Sequence, residues 1–142
     1  AVLLVKDPSI SVSTPWAYGR CKELKGSLYL ESESQFEKRR QSLREEAWLN
    51  HLSDANPLLL RNDLQDVVAP VTPAVQEALN LLSDLQGSLS VSMSGSGPSC
   101  FALYSSLDAA KDALDANRHK FEKAGLESWC CSCLKSGVSI DL

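Results

Sequence analysis

Between residues 94 and 99 the chain reads Ser-Gly-Ser-Gly-Pro-Ser, a polar, flexible gap set between "SLSVSM" and "CFALY". Gly95 and Gly97 flank Ser96, and glycine reaches positive φ without steric cost. Two such positions let successive backbone N–H groups turn into one concavity, which is the geometry of an anion nest. The hydroxyls of Ser94, Ser96 and Ser99 add further donors. Two generic phosphate motifs nevertheless fail. A Walker loop ends in Gly-Lys-Ser/Thr, and no Lys follows here. A dinucleotide fingerprint needs a third Gly and a helix, whereas apolar "CFALY" follows. On residue types alone a plain hairpin is the simpler reading, with the phosphate cradle as its rival.

Other chemistry-bearing residues form no convergent set. Asn62 and Asp63 have no second carboxylate placed with them by any pattern, so they read as packing or interface residues. Lys38, Arg39 and Arg40 sit among Glu31, Glu33, Glu37, Glu45 and Glu46, which marks a solvated face rather than a phosphate patch. His51 and His119 read as surface residues, and no Ser-His-Asp constellation can be assembled. Five cysteines is an odd number, and neither the disulfide nor the zinc spacing fits Cys130, Cys131 and Cys133. Strand alternation puts Cys131 and Cys133 on one face and Cys130 on the other. Small buried hydrophobes in a reducing compartment account for them.

The elements that must position these residues belong to one domain, residues 1–142, long enough to bury a core without staples. A net charge of −4 argues against nucleic acid as a partner. No apolar run approaches the roughly 20 residues of a membrane helix. The opening "AVLLVKDPSI" resembles no signal peptide and starts inside a strand, as a piece of something longer would.

"AVLLV" predicts a buried strand. Thr14 followed by Pro15 predicts a capped helix start, with the helix ending at Gly26. Residues 31–50 predict a solvated helix with a narrow stripe of Phe36, Leu43, Ala47 and Trp48. "NPLLLRNDLQDVV" predicts another helix from Pro57, and Thr72-Pro73 starts a third with Val75, Ala78, Leu79 and Leu82 inward. "SLSVSMS" alternates as a half-buried strand with its serines outward, and "CFALY" predicts a fully buried one. Asp108 is the expected cap of a helix bearing Ala109, Ala113, Leu114 and Phe121 and stopping at Gly125; "SWCCSCL" closes the chain as a strand. Collapsing the middle helices into one crossover yields an α+β, ferredoxin-like βαββαβ layout. It has an antiparallel four-stranded sheet, helices on one face and a helical insertion.

A resemblance sharpens the loop. Ser94-Gly95-Ser96-Gly97-Pro98-Ser99-Cys100-Phe101-Ala102 resembles the third signature of the GHMP kinases, a Gly-Ser/Thr-Gly-small-small turn leading into an apolar strand of their C-terminal domain. "VKDPSISVSTPWAYGRC" is similar to the entry into that domain in the 4-diphosphocytidyl-2-C-methyl-D-erythritol kinases of this group. "LLLRNDLQDVVAPVTPAVQEAL" resembles their Asn-Asp-Leu/Phe-Glu helix and the Pro-containing link beyond it.

The resemblance implies an ATP- and Mg²⁺-dependent phosphorylation of the 2-hydroxyl of 4-diphosphocytidyl-2-C-methyl-D-erythritol, on the non-mevalonate route to isoprenoid precursors. It implies an N-terminal partner domain carrying the main phosphate loop and the reactive Lys and Asp, none of which is found in residues 1–142. The expectation is a chain that folds alone and is inactive alone. Gly95, Ser96 and Gly97 inherit a place on the phosphate side of the cleft. Tyr18 resembles the cytosine-stacking residue, a contact worth about 1–3 kcal/mol. Thr14 is a candidate substrate contact, although helix capping explains it on residue type. Pro98 and Ser99 depart from the family's usual Ala and Cys, so no role passes to the Ser99 hydroxyl. Bacterial cytoplasm and plastid stroma both suit the family. A homodimer is the further expectation, through apolar residues such as Leu3 and Val5 left uncovered. The rival reading is a ligand-sensing ferredoxin-like module without chemistry.

Overall fold

The computed structural model describes residues 1–26, 32–44 and 60–134. The elements in chain order are β1 (Val2–Lys6), α1 (Thr14–Lys25), α2 (Glu33–Arg44), α3 (Gln65–Val68), a 3-10 turn (Ala69–Val71), α4 (Pro73–Ser83), β2 (Ser90–Met93), β3 (Cys100–Leu103), α5 (Leu107–Lys123) and β4 (Glu127–Cys131). The four strands form one antiparallel sheet in the order β2-β3-β1-β4. This is the expected βαββαβ arrangement, in which each crossover skips one strand.

Register assigns the faces. Val91 pairs with Ala102 and Met93 with Cys100, while Leu3 and Val5 lie opposite Ala102 and Cys100 from the other side. Leu3, Val5, Met93, Cys100 and Ala102 are all buried, together with Val75, Ala78, Leu79 and Leu82 of α4 and Ala110, Leu114 and Phe121 of α5. The helical stripe read for α4 is therefore the one that packs on the sheet. Leu3 and Val5 are not the uncovered residues expected of them: β1 lies between β3 and β4, and both side chains are at 0% exposure. Their strand neighbours Val2 and Leu4 point the other way and stay half-buried, beside Phe101 and Leu103.

Strand alternation also corrects two burial expectations. β3 is buried at every second residue rather than throughout. In β2 the serines do lie opposite Val91 and Met93, but Ser90 and Ser92 are buried, not solvated. β2 is an edge strand, and Gln65 of α3 reaches over it: Met93 N–H donates to Gln65 Oε1 at 2.8 Å and Ser92 Oγ to the same oxygen at 3.2 Å. Of the helix expected from Pro57, residues 57–59 lie outside the described residues; Arg61 and Asn62 are not helical, Asp63 and Leu64 form a turn, and α3 starts at Gln65.

Two caps move by one or two positions. Ser13, not Thr14, caps α1 through Trp16 N–H at 3.4 Å, with Pro15 in the first turn. Ser106, not Asp108, caps α5 through Ala109 N–H at 3.1 Å. The extended residue just outside the helix is the one whose hydroxyl reaches the first free amides. Thr72 precedes α4 without a side-chain cap bond. α1 ends at Lys25 with Gly26 as its cap, although that cap is right-handed rather than left-handed, and Gly125 ends α5 as expected, with Leu126 N–H donating to Phe121 O at 2.9 Å.

α2 is exposed wherever its side chains are described, Phe36 included, and Arg40 pairs with Glu37 at 2.7 Å. The solvated face is thus present without a buried Phe36; Ala47, Trp48 and His51 lie outside the described residues, and so does the side chain of Leu43. All five cysteines are free. Cys21 and Cys100 are core residues, Cys130 is half-buried within β4, and Cys131 and Cys133 are exposed, against the expectation that the cluster is interior.

Tyr104 is buried with its hydroxyl unpartnered among the described residues, and burial pushes that hydroxyl's pKa up to about 12. An unsatisfied buried hydroxyl costs about 1–3 kcal/mol. Tyr104→Phe is therefore expected to hold or raise the urea midpoint. Leu82→Ala, which empties a fully buried site, should lower stability by about 2–5 kcal/mol in the same titration.

Candidate functional site

The glycine turn is stitched from three directions. Internally, Ser94 N–H donates to Ser99 O at 2.8 Å and Gly97 N–H to Ser94 O at 2.9 Å. Gly95 and Gly97 take φ of +55° and +77°, values that L side chains adopt only at a cost of roughly 1–2 kcal/mol. Their surroundings differ sharply. A Cβ on Gly97 would lie 2.7 Å from Met93 Sδ, inside the core, so this glycine is required by packing. A Cβ on Gly95 would meet nothing within 4 Å. Only Gly95 leaves bare backbone facing open space.

From α1, Thr14 Oγ1 and Ser96 Oγ share a hydrogen bond of 2.8 Å. The hydroxyl that the sequence suggested as a cap is instead spent on the turn, because Ser13 already occupies the capping position. The contact brings the start of α1 against the turn. Helix N-termini carry a partial positive charge, and the first turn of α1 holds no acidic residue to compete for it.

From the segment before α3, Asn62 Nδ2 donates to Met93 O at 2.7 Å and to Gly95 O at 2.9 Å, while Asn62 Oδ1 accepts from Leu64 N–H at 3.1 Å. Sequence reading placed Asn62 in packing. Nothing local announces a bond to residues more than thirty positions away, although an Asn ahead of a helix is a known turn former.

Tyr18 follows Thr14 by four residues, hence on the same face of α1 one turn along. It is 61% exposed and lines a cavity of about 620 Å³ with Lys22, Arg61, Asn62 and Leu64. Gly95, Ser96 and Gly97 do not line that cavity; α1 and Asn62 are what the two places share. The wall is held by charge. Lys25 Nζ bonds Asp66 and reaches Asp63 Oδ1 at 3.4 Å, and Arg61 Nε donates to Asp63 Oδ1 at 3.0 Å. The Asp66 hydrogen bond is the main reason the Lys25 ammonium is held above its ordinary value of 10.5. Trp16 is exposed at the same end of α1 and touches neither feature in any recorded bond beyond the Ser13 cap.

Among the described residues no group of three His, Cys, Asp or Glu side chains could hold a metal ion. Asp63 and Asp66 are both engaged by cations, so this part of the chain does not fit a Mg²⁺ cage.

A family model described as "GHMP kinases C terminal" matches residues 33–123. The chain is 61% identical over 141 residues to the 4-diphosphocytidyl-2-C-methyl-D-erythritol kinase of Prochlorococcus marinus (strain MIT 9313), covering 99% of this chain and 44% of the relative. It is 57% identical over 141 residues to the protein of that name from Synechococcus sp. (strain CC9605), covering 99% of this chain and 46% of the relative. The chain thus spans less than half the length of these curated relatives. A crystal structure of 4-(cytidine 5'-diphospho)-2C-methyl-D-erythritol kinase superposes with a TM-score of 0.58 at 25% identity, over 90% of this chain and 41% of that one.

Two outcomes follow from the geometry. Gly97→Ala should destabilise the chain by at least about 1 kcal/mol more than Gly95→Ala in denaturant titration, since only the former overpacks the core as well as straining φ. The Lys25 tie has a raised folded pKa, so its contribution is fully present below pH 10.5 and is lost as pH climbs through the higher folded value. The melting-temperature gap between wild type and Lys25→Met should therefore be constant from pH 7 to pH 10 and should close above that range.

Proposed function

The chain belongs to the GHMP kinase C-terminal family, and from that membership we propose that it forms the substrate-side domain of a 4-diphosphocytidyl-2-C-methyl-D-erythritol kinase. In this reading the γ-phosphoryl group of ATP passes to the 2-hydroxyl of the cytidine diphosphate methylerythritol. A P–O bond forms to that hydroxyl oxygen, the β–γ bridging bond breaks, ADP leaves, and the hydroxyl proton goes to a base outside the described residues. The names of the relatives and of the structural neighbour support the reaction and the substrate class.

The observation that carries the reading is the exposed backbone at Gly95. Phosphoryl transfer depends on positioning and on donors aimed at the transferring oxygens. A peptide without a Cβ, facing open space and braced against the start of α1, is suited to approach those oxygens closely. Ser96 and Gly97 shape the turn, Thr14 braces it through Ser96, and the exposed ring of Tyr18 offers a flat face for the cytosine. Mg²⁺ bound elsewhere in the enzyme would supply charge neutralisation at the phosphates, and no described residue is assigned to hold it. The remaining length of the relatives, including an N-terminal domain, supplies the chief phosphate loop and the base, so residues 1–142 by themselves are expected to turn over no substrate. No described helix is long and apolar enough to cross a membrane, and the relatives' bacterial origin suits a cytoplasmic enzyme.

The test joins these residues to the complementary length found in the relatives and follows ADP release with the cytidine substrate. Gly95→Ala should cut kcat by tenfold or more, of the order that loss of one oriented donor brings, while its melting temperature falls less than that of Gly97→Ala. Tyr18→Ala should raise KM for the cytidine substrate and leave KM for ATP in place. Parallel losses of activity and stability at Gly95 would return the turn to a plain hairpin.

A further inference from the structure

Asn62 lines the Tyr18 cavity and at the same time holds the glycine turn. Its amide nitrogen has two hydrogens, and both are used: one on Met93 O, one on Gly95 O, at 2.7 and 2.9 Å. Its carbonyl oxygen is anchored in turn by Leu64 N–H at 3.1 Å, which sets the amide plane. The consequence lies in peptide geometry. In a planar trans peptide the C=O and the following N–H point in opposite directions. Fixing Gly95 O on Asn62 therefore aims the N–H of Ser96 to the other side of the turn, away from Asn62. Neither of the bonds that close the turn uses that N–H: these run from Ser94 N–H and Gly97 N–H. The same logic holds at Met93 O, whose partner N–H, that of Ser94, is directed onto Ser99 O.

We propose that Asn62 is a positioning residue that orients the Gly95–Ser96 peptide, presenting the Ser96 amide as a fixed donor on the open side of the turn. The inference rests on the kinase reading for its consequence, but its structural half stands apart from it. Of the two bonds from the Asn62 amide, one holds Met93 O at the end of β2 and the other reaches Gly95 O in the turn, whereas Gln65, the neighbouring clamp on β2, bonds Met93 N–H and Ser92 and reaches no residue of the turn. Thr14 secures the Ser96 side chain, and Asn62 secures the peptide before it. Without Asn62 the Gly95 carbonyl loses that bond, at a glycine where a Cβ would meet nothing within 4 Å.

The experiment pairs two readouts. In this chain, ¹⁵N relaxation of Gly95 and Ser96 is compared among wild type, Asn62→Ala and Asn62→Asp, the last keeping an acceptor for Leu64 N–H while losing both donors. Both variants should add fast motion at these two amides. In the longer enzyme, with ATP and the cytidine substrate, both should lower kcat about tenfold or more with KM for ATP changed less than threefold. Ser106→Ala, the cap of a helix remote from the turn, is the control: it lowers melting temperature and leaves kcat unchanged. A rigid turn in Asn62→Ala overturns the proposal, as does a mobile turn with full kcat, or recovery of kcat in Asn62→Asp. A wild-type enzyme inert toward the cytidine substrate would instead overturn the proposed function, and the relaxation data would still decide whether Asn62 orients the peptide.

Discussion

At the end of β2 two backbone carbonyls, Met93 O and Gly95 O, converge on one side-chain amide. Met93 O is partly buried, where a carbonyl left without a partner costs about 1–3 kcal/mol, so Asn62 is drawn against the end of β2; Gly95 O, at an exposed position, takes its second donor. That single convergence sets the position of the chain ahead of α3, and α3 then lays Gln65 over the β2 edge. Ser90 and Ser92 on this edge strand are buried, and Asn62, which holds the turn, also lines the Tyr18 cavity. Fold and site share one fastening.

The core limits what the turn can become. Met93 ends β2, is buried, and pairs with Cys100, so its side chain lies beneath Gly97 with no room for a Cβ between them. Gly97 answers to the interior and Gly95 to the exterior, although both stand at positive φ in the same short loop. A motif of two glycines thus combines a packing requirement with an opening. The burial of Cys100, whose thiol is pushed up to about 12, places the strand after the turn firmly in the apolar interior. The loop is thereby a mobile-looking sequence held on a rigid base.

Elements with a strong period were legible in advance. Val75, Ala78, Leu79 and Leu82 repeat as only one face of a helix can, and β1 and β3 were legible as apolar strands, although only every second residue of each is buried. The missed features depend on neighbours distant in sequence. Serines at Ser90 and Ser92 looked solvent-facing because residue type favours water, but both are buried, and the Ser92 hydroxyl is taken up by Gln65. Thr14 looked like a cap because its local context allows one; Ser13 took the cap, and Ser96 took the hydroxyl. Residues from Arg61 to Leu64 were read within a helix, yet Arg61 and Asn62 are non-helical and Asp63 and Leu64 form a turn before α3, with Asn62 bonded to Met93 O and Gly95 O. Cys131, at the end of the edge strand β4, and Cys133, beyond that strand, are exposed.

By itself the sequence determined the order of strands and helices, the ferredoxin-like layout, and the glycine turn with its family resemblance, since each is written in local periodicity or in contiguous residues. Tertiary structure alone decided that Thr14, Asn62 and Ser96 meet, that Gly95 opens outward while Gly97 is filled from beneath, and that Leu3 and Val5 lie at the sheet's centre. The reason is physical. Hydrogen bonds and contacts between segments thirty to eighty residues apart follow from the register and packing of the whole sheet, and no local stretch of chain contains that information.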